Sequence, residues 1–108
     1  MEAINFKRLE WLDYYLTEEK PGVYLLSNDG EVPCEVGRSD ENLLKELKKR
    51  TEVIRGVDSQ FAYFWFKYCD SPDEAFRLHC ELWHRFFHNG NHPQSNGKNR
   101  RCPICEGD

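Results

Sequence analysis

Pro21-Gly22-Val23-Tyr24-Leu25-Leu26, then Asn28-Asp29-Gly30, then Val32 through Val36, sets the architecture of this chain. The first run is apolar and rich in residues that suit a pleated, half-buried surface. Asn-Asp-Gly is a turn signal, because its members tolerate backbone angles that other residues avoid. Apolar run, turn and second run predict a β-hairpin, with strands at Val23–Leu26 and Val32–Val36. Pro33 lacks an N–H to give to a ladder, so the second strand is expected at a sheet edge or a bulge.

Working outward, Ile4, Leu9, Leu12 and Leu16, with Phe6, Trp11 and Tyr15, predict an amphipathic helix over 4–16. Glu18-Glu19-Lys20-Pro21-Gly22 ends it. Downstream, Gly37-Arg38-Ser39-Asp40 closes the hairpin and opens a helix. Ser39 or Asp40 is its expected cap, and Leu43, Leu44 and Leu47 its apolar stripe. Residues 60–68 predict a strand apolar on both faces, and so covered by helices. Ser71-Pro72-Asp73-Glu74 is a capping box with proline at the first helical position. The helix it opens is expected to reach about Phe87, burying Ala75, Leu78, Leu82 and Phe86, with His79 and Trp83 on the shoulder. Cys80 and His84 point away from that stripe. Trp11, Trp65 and Trp83 are expected in the core, and Cys34 and Cys69 read as small apolar residues.

The 108 residues fit one domain, and a 39% hydrophobic and 14% aromatic content suffices for a core. The formal net charge of −4 argues against broad affinity for phosphate backbones. Met1 to Asn5 carries no basic leader, and no apolar run approaches the roughly 20 residues of a spanning helix, so a cytoplasmic protein without membrane contact is expected. Five cysteines, two of them in Cys102-Pro103-Ile104-Cys105, point in that compartment to a metal or redox role rather than a disulfide scaffold. Cys80 and His84 lie four apart on a helix, where side chains are neighbours. With Cys102 and Cys105 they make a four-ligand set for a structural zinc ion, which leaves no open position for water. His92 is the alternate ligand and His88 a further one.

The order hairpin, helix, strand, helix carries Gly22-Val23-Tyr24 in its first strand and Glu35-Val36-Gly37 at the end of its second. In this it resembles the GIY-YIG nuclease domain, named for two such tripeptides. The neighbouring Val36-Gly37-Arg38-Ser39-Asp40 and the His92-Pro93 and Cys102-Pro103-Ile104-Cys105 tail resemble small prokaryotic members, so the likeness covers about residues 20–105. The expected organisation is an N-terminal accessory helix at 1–19, a GIY-YIG-like domain at 20–88 and a metal-binding tail at 89–108 packed on that domain. The expected fold is α+β, a small three-stranded antiparallel sheet flanked by helices with a zinc-stapled C-terminal tail.

The family cleaves DNA with a divalent metal, and the resemblance implies one tyrosine from each tripeptide, an arginine on the first helix and a glutamate on the second. Tyr24 matches the first tyrosine; Glu35 stands at the second, Lys45 or Glu46 at the arginine and His79 at the glutamate. Lys45 keeps the charge but not the planar fork of arginine. Tyr24 also reads as an ordinary core aromatic. Arg38, beside the expected cleft, is placed to touch phosphate. Lys45, Lys48, Lys49 and Arg50 read as a wet helix face, with Lys98, Arg100 and Arg101 as a second basic cluster.

Three functions follow from these residues. One is a module with degenerate nuclease motifs that binds DNA, RNA or a protein partner. Another is an active endonuclease in which Glu35 and His79 hold Mg²⁺ or Mn²⁺ between them. The third is a purely protein-binding scaffold subunit.

Overall fold

A computed structural model describes residues 4–55 and 62–87, with 51–55 as backbone. The fold is α+β: a four-stranded antiparallel sheet and three helices. The chain runs β1 (Lys7–Arg8), a 3₁₀ turn (Leu9–Trp11), α1 (Leu12–Tyr15), β2 (Gly22–Ser27), β3 (Glu35–Ser39), α2 (Leu43–Arg55), β4 (Tyr63–Tyr68) and α3 (Pro72–Phe86). Spatial order is β1-β4-β2-β3.

Two apolar layers cover the sheet. Alternation along β2 sends Tyr24 and Leu26 to one face and Val23 and Leu25 to the other. The first face packs on Leu43 and Leu47 of α2 and on Leu9, Leu12 and Leu16. The second packs on Ala75 and Leu82 of α3, with Leu78 and Phe86 partly buried beside them. β4 feeds both layers, Phe64 and Phe66 entering the first and Trp65 the second. That is why a strand apolar on both faces belongs here.

The predicted three strands become four, and the predicted helix over 4–16 is broken. Ile4 and Phe6 pack in the α3 layer, whereas Leu9, Leu12 and Leu16 pack in the α2 layer. No single helix can present side chains to both sides of a sheet. The chain instead passes the sheet edge as β1, pairing Lys7 with Phe64 and Arg8 with Tyr63. Ile4, Phe6, Leu9, Leu12 and Leu16 thus all contribute to the core. Trp11 departs from the core expectation, being 54% exposed.

The return strand starts at Glu35 rather than Val32. The buried Ser27 Oγ accepts from the Gly30 N–H at 3.0 Å and lies 2.8 Å from the Val32 carbonyl, to which it donates. Asp29 Oδ1 accepts from the N–H groups of Glu31 and Val32 at 2.8 and 3.0 Å. Residues 28–32 are therefore held in a closed loop, and Gly30 supplies its positive φ of 81°. The strand is at the sheet edge, and Pro33 lies just ahead of it.

Helix starts also differ in detail. At α2 the cap is Asn42, whose Oδ1 accepts from the Lys45 N–H at 3.1 Å. Ser39 Oγ takes the Glu41 and Asn42 N–H groups one turn earlier, and Asp40 turns back to Arg38. At α3 the Ser71 half of the predicted capping box forms, with Ser71 Oγ accepting from the Glu74 N–H at 3.1 Å and Pro72 in the first turn. The Glu74 carboxylate reaches back to the Asp70 N–H. No helix among the described residues is long and apolar enough to cross a membrane.

Candidate functional site

The residues singled out for chemistry divide between the two faces of the sheet. Strand register settles the division. Leu26 pairs with Glu35 and Tyr24 with Gly37, so Glu35 shares the α2 face with Tyr24. Val23 pairs with Arg38, so Arg38 shares the α3 face with Val23.

On the α2 face, Tyr24 is 4% exposed and its ring lies directly on Gly37. A Cβ at residue 37 would overlap the phenol, so a glycine is needed for the ring to lie flat on β3. Burial raises the Tyr24 phenol well above its ordinary range, and the Glu35 and Glu46 carboxylates push it further up. The Arg50 guanidinium opposes them without reversing the sign. Tyr24 is therefore a neutral phenol near pH 7, suited to donating a hydrogen bond and not to abstracting a proton.

Glu35 is held by Arg50. Arg50 Nε donates to Glu35 Oε2 at 2.6 Å and its terminal nitrogen donates to Oε1. Both carboxylate oxygens are engaged in a fork, the strongest common geometry for this pair. Glu35 in turn raises the Arg50 pKa. Arg50 was expected to face water with Lys45, Lys48 and Lys49; the structure turns it onto the sheet. Leu43, Leu47 and Arg50 fall at i, i+4 and i+7, the phase of one helix face. An arginine in the phase of the apolar stripe was the signal in the sequence. Lys45 is exposed and stands two residues from both Leu43 and Leu47, roughly 200° around the helix from each. It does not join Tyr24 and Glu35.

On the α3 face, the Arg38 side chain is only 5% exposed. Its Nε donates to Asp40 Oδ1 at 3.2 Å, a terminal nitrogen meets His79 Nδ1 at 3.0 Å, and its carbon stacks 5.0 Å from the Phe76 ring centre. A guanidinium only donates, so Nδ1 accepts and His79 carries its ring proton on Nε2. Arg38 is built into the α3 packing rather than presented to phosphate. The shared cleft expected for Glu35 and His79 is not formed: each approaches its own face and is engaged by its own arginine.

Cys80 and His84 stand one turn apart on α3, as expected. Cys80 is fully buried and clusters with Phe76, while His84 is half-buried against Trp83, ring centres 4.9 Å apart. His88, His92, Cys102 and Cys105 lie outside the described residues, so the four-ligand set is represented by two of its members. Among the described residues no three His, Cys, Asp or Glu side chains are gathered as a metal site. Toward the start of α3, Glu74, Arg77, Leu78 and Glu81 line an open groove with Lys67, about 390 Å³ in volume. Comparison with family models, curated proteins and solved structures finds no match to this chain.

Proposed function

We propose that this chain is a GIY-YIG-like scaffold that no longer cleaves nucleic acid and serves as a protein-binding module. The observation that carries this reading is the Glu35–Arg50 fork beside a buried, neutral Tyr24. Hydrolysis of a phosphodiester needs a group to activate the nucleophile and cationic or metal support for the charge that develops. Here the phenol resists ionisation and the carboxylate is spent on an arginine. The two best-placed guanidiniums, Arg38 and Arg50, are committed within the protein, which with the net charge of −4 favours a protein partner over DNA or RNA.

The test is incubation of the full chain with supercoiled plasmid, single-stranded DNA and RNA in Mg²⁺ or Mn²⁺. The expected result is intact nucleic acid. Cleavage that is lost in Tyr24→Phe or Glu35→Ala would restore the endonuclease reading.

The same proposal includes a structural zinc ion held by Cys80, His84, Cys102 and Cys105, with His92 as alternate. What supports it is the one-turn spacing of Cys80 and His84 on α3. Elemental analysis should find one zinc per chain, and a chelator should lower Tm sharply, since metal binding feeds into folding. An unchanged melting curve in metal-free protein would remove the ion. Cytoplasmic residence is part of the same proposal, on the strength of the Cys102-Pro103-Ile104-Cys105 motif read as a metal ligand pair.

A further inference from the structure

We draw no further inference here: the strongest candidate, the open groove between β4 and the first half of α3 lined by Lys67, Glu74, Arg77, Leu78 and Glu81, sets two basic against two acidic side chains around one leucine, so nothing in the structure says what would fill it.

Discussion

Glu35 and Arg50, fifteen residues apart in the chain, are joined by two side-chain hydrogen bonds that tie edge strand β3 to helix α2. Each side chain is about one-third exposed, so solvent screens part of the attraction, while the fork geometry preserves part of it. A double-mutant cycle of Glu35→Gln and Arg50→Gln, followed by urea denaturation, should give a coupling of about 1 kcal/mol. A coupling near zero would make the pair incidental to stability.

Gly37 is expected to tolerate no side chain while Tyr24 is present. The added methyl of Gly37→Ala overlaps a buried ring, and overpacking of this kind costs about 1–3 kcal/mol. In a Tyr24→Ala background the same change should cost much less. Equal costs in the two backgrounds would contradict the contact.

The α3 cap offers a cleaner local measurement. Ser71→Ala should cost about 1 kcal/mol, and Ser71→Gly only a few tenths, as read from urea midpoints. If both substitutions were neutral, the Ser71–Glu74 bond would contribute nothing to the helix start.

Stability should fall on the alkaline side. Burial lifts the Cys69 thiol from 9.0 to about 11 and raises the Tyr24 phenol above its ordinary value. At lower pH both states keep these protons, and neither group makes stability vary. Once pH passes the ordinary thiol and then the ordinary phenol value, the unfolded chain releases protons that the folded one retains. Each group then subtracts up to about 1.4 kcal/mol per pH unit, until the folded form ionises as well. Urea midpoints taken from about pH 8 to about pH 11 should decline, and more gently in Cys69→Ala and Tyr24→Phe. A decline just as steep in both variants would assign it to other groups.

The repeating patterns were legible without coordinates because each belongs to one element. Apolar runs marked β2 and β4, and a 3.6-residue stripe with a capping box marked α3, since a strand covered on both faces is apolar throughout and a helix buries one side of each turn. The edge position expected of β3 is observed, although Pro33, the residue that suggested it, lies ahead of the strand. Three things depended on the assembled fold. The segment from Ile4 to Leu16 reads as one amphipathic helix, yet it divides its apolar residues between two layers, because the chain passes the sheet edge at β1. Arg50 sits in a lysine-rich run, yet it meets Glu35 because packing of Leu43 and Leu47 sets the rotation of α2. Glu35 and His79 read in the sequence as two ligands for one cleft, yet the Leu26–Glu35 and Val23–Arg38 pairings send them to opposite faces. Periodicity specifies which side of an element is buried, but not which residues from distant elements meet there; strand register and helix rotation set those pairings, and both are products of the closed core.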